Sequence, residues 1–149
     1  MKPQFTIGVF GIIKDDKDRV LLCLRNDYNF RNLPGGGLEK WETPWEGVIR
    51  EVKEETGLNV EVTSLTGVYS KPEIDEIVFS FECKVIGWEI TLNDEAKDIQ
   101  YFAFQEIPKN TPPKHIERIK DFLENIKKMP IMKVQSWKWS IELFKEWKL

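Results

Sequence analysis

The most constraining feature of this 149-residue sequence is a glycine run followed closely by a helix with two marked ends. The consecutive glycines 35–37 predict a backbone that turns sharply or approaches another group closely. Thr43 is a good N-cap residue, Glu46 completes a capping box with it, and Gly57 is a typical C-terminal cap. These signals predict a helix over residues 44–56, whose apolar stripe packs against the rest of the chain.

The remainder of the chain predicts a mixed β-sheet with a second helix near its C-terminus. Runs rich in β-branched and aromatic residues predict strands over 5–14, 19–25, 59–69, 76–86 and 99–104. The first two strands flank an acidic turn signal and are interpreted as a hairpin. Pro112 and Pro113 introduce a second helix of about 14 residues. Helices alternating with strands in this way indicate an α+β fold with helices packed on the sheet.

Composition narrows the class of protein. A chain of this length with 41% hydrophobic residues suits one domain with a real core. No apolar run is long enough for a membrane span, and the N-terminus does not resemble a signal peptide, so a cytoplasmic protein without a membrane partner is expected. Cys23 and Cys83 lie in apolar runs and are interpreted as buried free thiols.

Charge is distributed unevenly along the chain. The net charge of −3 argues against a dedicated nucleic-acid-binding protein, although residues 109–149 carry 10 Lys and Arg against 5 Asp and Glu. Three of the six tryptophans lie in this basic tail, and residues 140–148 are spaced for a third helix. The tail is interpreted as a solvated face with a packed aromatic seam, and an interface in a homodimer is the alternative.

Three carboxylates on the 44–56 helix are the candidate metal-binding residues. At 100° per residue, Glu51, Glu54 and Glu55 share one face beside the apolar stripe. Such closely held carboxylates repel one another, and a divalent cation turns that repulsion into a binding site. Oxygen-only ligands favour Mg²⁺ or Mn²⁺. Arg50 and Glu42 lie close enough to hold these carboxylates in place.

The spacing of these residues resembles the Nudix box, G-x5-E-x7-R-E-U-x-E-E-x-G-U, in which U is aliphatic. The matching positions are Gly36, Glu42, Arg50, Glu51, Val52, Glu54, Glu55, Gly57 and Leu58. The similarity extends over about residues 4–127 and implies an α/β/α sandwich. It implies a Nudix hydrolase domain over 1–130, with 131–149 as a basic, Trp-rich extension of that domain. Trp41 departs from the glycine that family members often carry there.

The resemblance implies a Mg²⁺-dependent pyrophosphohydrolase, with Mn²⁺ as a substitute ion. Its substrate is a nucleoside diphosphate linked to another moiety, and its products are a nucleoside monophosphate and the phosphorylated moiety. In this reading Glu51, Glu54 and Glu55 are metal ligands, and the carbonyl of Gly35 or Gly36 is a further ligand. The same resemblance gives two catalytic supporting residues, Glu42 and Arg50.

The identity of the general base stays open at this point. Family members use either a glutamate of the box, here Glu54, or an acid from a later loop, for which Glu95 is the natural candidate. Asp75 and Glu76 are weaker ones. Two arginines before the glycine run are candidate phosphate ligands. A guanidinium can donate hydrogen bonds to two phosphate oxygens at once. The alternative is that both arginines are ordinary surface residues. They are Arg25 and Arg31.

The substrate class has three readings. ADP-ribose or a related nucleotide sugar is the first, weakly supported by Pro72, which lies close to the position of a proline in that subgroup. A MutT-like enzyme that clears oxidised or non-standard nucleoside triphosphates is the second. A Nudix-like module that binds a nucleotide or RNA without cleaving it is the third, and the basic Trp-containing tail favours it. The intact glutamates favour an enzyme.

Overall fold

The computed structural model describes residues 2–87 and 96–135. Within these ranges the regular elements form eight strands and two α-helices. In chain order they are β1 (Thr6–Ile13), β2 (Val20–Arg25), β3 (Arg31–Asn32), β4 (Gly35–Gly37), α1 (Pro44–Thr56), β5 (Asn59–Lys71), β6 (Glu76–Gly87), β7 (Ala96–Phe102), α2 (Pro113–Glu124) and β8 (Ile131–Val134). No helix in the described ranges has the length and apolar character needed to cross a membrane.

The strands form two sheets between the helices. The five-stranded sheet has the order β4-β1-β6-β5-β8, in which β1 runs parallel to β6 and β5 runs parallel to β8. The three-stranded sheet has the antiparallel order β3-β2-β7. The predicted α/β/α sandwich with a mixed sheet is therefore confirmed.

Alternate residues of the central strands point to different helices. On one side Val9, Leu21 and Cys23 pack with Val48 and Val52 of α1 in the larger apolar cluster. On the other side Ile12, Val20 and Leu22 pack with Leu33 and with Ile119 of α2. Because β1 and β2 are buried on both faces, their sequences are continuous apolar runs rather than alternating ones. Cys23 and Cys83 are buried free thiols, as predicted.

Helix α1 begins and ends where its sequence predicts. The Thr43 hydroxyl accepts a hydrogen bond from the Glu46 backbone N–H at 3.2 Å, and Gly57 ends the helix at a φ of 79°. The predicted apolar stripe is correct for Val48 but wrong for Trp45, whose side chain is 54% exposed. The buried part of the helix begins only at Gly47, so the first turn extends past the packed face.

Four local predictions need correction. Strands β1 and β2 do not form a hairpin ladder, because a single bridge between Lys14 and Val20 closes the turn and the strands then enter different sheets. Of the two alternatives predicted for the glycine run, the sharp turn is wrong, because the run is strand β4, antiparallel to β1; the close approach to a neighbouring group is confirmed. The strand predicted over 59–69 continues to Lys71 and is followed by a 3₁₀ turn at Pro72–Ile74. The second helix has 12 residues rather than about 14.

The C-terminal segment begins as part of the sheet. Strand β8 pairs with β5, and its Met132 and Val134 side chains are exposed along this sheet edge. The helix predicted over 140–148 lies outside the described residues. The proposed homodimer and the division of the chain at residue 130 stay predictions.

Candidate active site

Strand β4 passes so close to its neighbours that it has no room for side chains at its first two positions. A Cβ atom on Gly35 would overlap the Val9 carbonyl oxygen. A Cβ atom on Gly36 would lie 2.7 Å from the Glu51 carboxylate. Only glycine permits this approach, which brings the backbone of β4 against a carboxylate of α1.

Arg50 holds the carboxylates at one end of the acidic face. Its guanidinium donates two hydrogen bonds to Glu42, at 2.7 and 3.0 Å, and further bonds to Glu51 at 3.0 Å and Glu54 at 3.2 Å. It also donates to the Gly37 carbonyl at 3.1 Å, which ties the helix to β4. The hydrogen bond from Arg50 lowers the pKa of the Glu42 carboxyl, and Glu42 in turn raises the pKa of Arg50. Arg50 and Glu42 therefore lie where the sequence predicts supporting residues.

Glu55 lies at the other end of the same face, next to β2. Its carboxylate accepts a hydrogen bond from the Gly35 backbone N–H at 3.4 Å. Burial raises the pKa of the Cys23 thiol, and the nearby Glu55 charge raises it further, which places Glu55 beside that strand. The charge of Glu55 also raises the pKa of Arg25, after the stronger effect of Asp27. The three glutamates thus extend along α1 from Arg50 to β2.

The acidic face offers the donors that a hard divalent ion requires. Within residues 2–87 and 96–135, however, no three His, Cys, Asp or Glu side chains are gathered tightly enough to enclose a metal ion. The reason is visible in the contacts of Arg50, which neutralises Glu51 and Glu54 itself. Glu54 is 44% exposed, so solvent reaches its carboxylate. Carboxylate oxygens beside the backbone of Gly36 are suitable ligands for Mg²⁺, provided that the ion replaces Arg50 as the partner of Glu51 and Glu54.

The two candidate arginines have different surroundings. Arg25 is a half-exposed residue that pairs with Asp27 at 2.5 Å, and it lies on the Glu55 side of the acidic face. Arg31 is largely buried and pairs with Asp98 of β7 at 2.6 Å. Both arginines therefore neutralise a carboxylate, and they differ in that Arg25 is accessible to solvent whereas Arg31 lies inside the fold.

The structure describes two of the three candidate bases that lie outside the Nudix-like motif, Asp75 and Glu76. Glu95 lies outside the described residues. Asp75 ends the 3₁₀ turn in a left-handed conformation, at a φ of 52°. Glu76 binds the Lys71 ammonium at 2.9 Å, on the side of the sheet that faces α2. Neither of these two weaker candidates is among the contacts of the acidic helix.

Trp41 lies in a strained and exposed position. Trp41 has a φ of 68°, in the left-handed region where glycine has no steric penalty, and its indole is fully exposed. The turn that forces this conformation is fixed by Glu42, whose carboxylate accepts the Glu39 backbone N–H at 2.9 Å. Trp41 therefore does not narrow the site from within the fold.

His115 is brought to the site region without a clear sequence signal. It is fully buried at the start of α2, and its Nδ1 accepts the Leu33 backbone N–H at 3.1 Å, two residues before β4. Burial lowers the pKa of His115, so the imidazole is neutral, and Nε2 carries its proton. Its distance in sequence from the acidic helix gave no reason to expect it there.

Comparisons with known proteins agree with this geometry. A family model of the NUDIX domain matches residues 4–125. An ADP-ribose pyrophosphatase of Methanocaldococcus jannaschii is 41% identical over 124 residues, which cover 78% of this chain and 72% of that protein. A MutT-like protein of Streptomyces ambofaciens is 34% identical over 122 residues, covering 82% and 79%. A solved NUDIX hydrolase from Nitrosomonas europaea has a TM-score of 0.79 at 26% identity, covering 91% of this chain and 81% of that one.

These matches, with the acidic helix and its glycine strand, define a hydrolase built on the α/β/α sandwich. The chain belongs to the Nudix family. Enzymes of this family depend on divalent metal ions and act on small nucleoside diphosphate derivatives.

Proposed function

We propose that this Nudix hydrolase cleaves the pyrophosphate bridge of ADP-ribose or a related nucleotide sugar, giving a nucleoside monophosphate and a phosphorylated sugar. The observation that carries the proposal is the acidic face of α1, where Glu51 and Glu55 lie against the backbone of β4 and Glu54 shares the Arg50 guanidinium with Glu51. The 41% identity to an ADP-ribose pyrophosphatase supports the choice of substrate.

In this proposal the three glutamates hold Mg²⁺, or Mn²⁺ in its place, together with the carbonyl of Gly35 or Gly36. The bound ion supplies charge neutralisation of the diphosphate and a lower pKa for a bound water. Arg50 keeps the carboxylates spaced along the helix, and Glu42 fixes the orientation of the Arg50 guanidinium through two hydrogen bonds.

The chain itself supplies the proton acceptor and a phosphate ligand. Glu54 is our candidate base, because its partial exposure lets its carboxylate reach an attacking water. Glu95 is the alternative base from a later loop. Arg25 is the better placed of the two arginines to bind a phosphate oxygen, since it lies near Glu55 and is half exposed. To bind phosphate, Arg25 exchanges its exposed partner Asp27, whereas Arg31 would have to leave the partly buried Asp98.

The test compares Glu54→Gln and Glu55→Gln with Glu124→Gln, an exposed residue on α2 that serves as the matched control. We expect roughly a 10²–10⁴-fold loss of Mg²⁺-dependent kcat in the first two variants, as for removal of a base or metal ligand, and no loss in the control. Circular dichroism checks that the fold is kept. Turnover equal to wild type in both site variants would refute the assignment.

A MutT-like activity is the second candidate, favoured by the 34% identity to a MutT-like protein. Ranking substrates by kcat/KM in Mg²⁺ separates the two. The panel contains ADP-ribose, other nucleotide sugars, dinucleoside polyphosphates and oxidised deoxynucleoside triphosphates. A preference for the last group would replace the first candidate, while absence of turnover on every compound would favour the binding module.

A further inference from the structure

Two lysines meet on the side of the sheet that faces α2. The Lys71 ammonium, at the end of β5, is buried and binds Glu76 at 2.9 Å. Gln135 links Lys114, in the first turn of α2, to the end of β5: its side-chain amide donates to the Lys114 carbonyl at 3.1 Å, and its backbone N–H donates to the Ser70 carbonyl at 3.0 Å. Two ammonium groups held in the same region repel each other, because both are donors and both carry a positive charge.

A third cation lies fully buried in the same region. The Arg118 guanidinium directs Nε and Nη2 to one neutral oxygen of Gln135, at 3.1 and 2.9 Å. It lies over the rings of Phe10 and Tyr69, with centroids 5.1 and 5.5 Å away. Its Nη1 is buried and has no hydrogen-bond partner. A buried guanidinium normally requires a hydrogen-bonded anion, so this geometry leaves one donor unsatisfied.

Nearby carboxylates only partly balance these cations. Glu76 is the carboxylate that contacts Lys71, while Glu117 and Asp121 of α2 are both paired with Lys133, at 3.3 and 3.1 Å. Burial and then the neighbouring Lys71 lower the pKa of Lys114 to about 8. The region therefore holds more positive charge than its direct partners neutralise.

The start of α2 adds two more features that suit an anion. The helix begins at Pro113, which has no N–H, and no side chain caps it. The His115 N–H donates to the Pro112 carbonyl at 3.0 Å, so the Lys114 N–H and the positive end of the helix dipole are what this terminus offers to an anion. The hydroxyl of Thr111, just before it, is buried without a hydrogen-bond partner. Lys114 is only half buried and provides the entrance to the region from solvent.

We propose that Lys71, Lys114 and Arg118 form an anion-binding site for a phosphate or carboxylate group, separate from the acidic face of α1. An anion between the two ammonium groups replaces their repulsion with two charge-assisted hydrogen bonds. One source of such an anion is an anionic group of the substrate. A free anion from solution is the other source.

The test measures thermal unfolding of the full chain in EDTA, with inorganic phosphate replacing chloride at constant ionic strength. We expect a saturable rise in Tm, since a ligand that binds only the folded state stabilises it by mass action. Lys114→Met is expected to abolish the rise and to increase the Tm without phosphate, because it removes the repulsion from Lys71. Lys114→Gln, which keeps a donor, is expected to show a reduced rise.

Two controls separate this site from others. Lys120→Met removes an exposed cation of the same helix, and Glu54→Gln alters the acidic face; both are expected to keep the wild-type response to phosphate. A wild-type Tm that does not respond to phosphate would overturn the proposal, as would a Lys114→Met variant that responds like wild type.

Kinetics with Mg²⁺ then identify the source of the anion. If the site takes a group of the substrate, phosphate is a competitive inhibitor and Lys114→Met removes the inhibition. If it takes a free anion, phosphate raises Tm without changing KM. Either result supports the site, and the Tm response to phosphate in EDTA tests the site without any substrate.

Discussion

Replacing Arg50 with methionine tests how the acidic face is held together. The change removes six hydrogen bonds, to Glu42, Glu51, Glu54 and Gly37, and leaves the first three of these residues close together without their cation. Removing one partner of a buried ion pair costs about 3–5 kcal/mol. Because Arg50 is partly exposed, we expect a smaller loss of unfolding free energy in EDTA, about 2–4 kcal/mol.

The same variant is expected to gain more from Mg²⁺ than wild type does. In wild type an ion must replace Arg50 at Glu51 and Glu54, whereas in the variant those carboxylates have lost this partner. Urea unfolding of both proteins, with EDTA and with saturating Mg²⁺, measures the two gains in free energy. A ligand at 100 times its Kd contributes about 2.7 kcal/mol, which is large enough to resolve the difference.

Arg19→Met is the matched control, because Arg19 is an exposed residue that pairs with Asp15 alone at 2.7 Å. We expect it to cost less than about 1 kcal/mol and to leave the response to Mg²⁺ unchanged. The reasoning fails if Arg50→Met is as stable as wild type in EDTA, or if Mg²⁺ stabilises the two proteins equally.

Three further predictions concern stability and reactivity. Trp41→Gly is expected to raise the unfolding free energy by about 0.5–1 kcal/mol in urea, because it removes left-handed strain without loss of packing, while Trp41→Ala is expected to give no gain. Arg31 lowers the pKa of Asp98, so this pair contributes stability above the ordinary Asp pKa of about 4 and loses it as pH falls; Asp98→Asn should flatten the acid limb of a Tm–pH curve. Burial raises the pKa of Cys83 to about 12 and raises that of Cys23 too, so Ellman's reagent at pH 8 should label neither thiol until the protein unfolds.

The parts of the fold that could be predicted from the sequence are those with local causes. Helix α1 is set by Thr43 and Gly57, which act within one turn of its ends. Strand β4 was missed because nothing within the glycine run specifies its partner; pairing with β1 depends on contacts about 27 residues away in sequence, such as Val9 with Gly36. The hairpin prediction was wrong for the same reason. The apolar run of a strand buried on both faces indicates where the strand lies in the sequence, but it does not specify which strand is its partner.

For the candidate site too, the sequence predicts the features that have local causes and misses those that depend on distant contacts. The clustering of Glu51, Glu54 and Glu55 follows from helical periodicity, and Arg50 lies among the same residues. The meeting of Lys71 with Lys114 could not be predicted, because it depends on where α2 packs on the sheet. Single lysines in a polar sequence are usually solvated, so neither residue carried a signal of its own.

In the folded structure, the uneven charge along the chain corresponds to an acidic region and a basic region. The basic C-terminal part was interpreted as a solvated face, but Arg118 is fully buried and Lys114 is half buried against the sheet. The acidic helix lies on one side of that sheet and these cations lie on the other, with β4 at the edge between them. A nucleoside diphosphate is an anion, so it needs an added metal ion at the acidic face but finds cations of the chain itself beside α2. Chelation of metal should therefore abolish turnover while leaving the response to phosphate intact, and a chain whose anion binding vanished with the metal would show that both belong to one site.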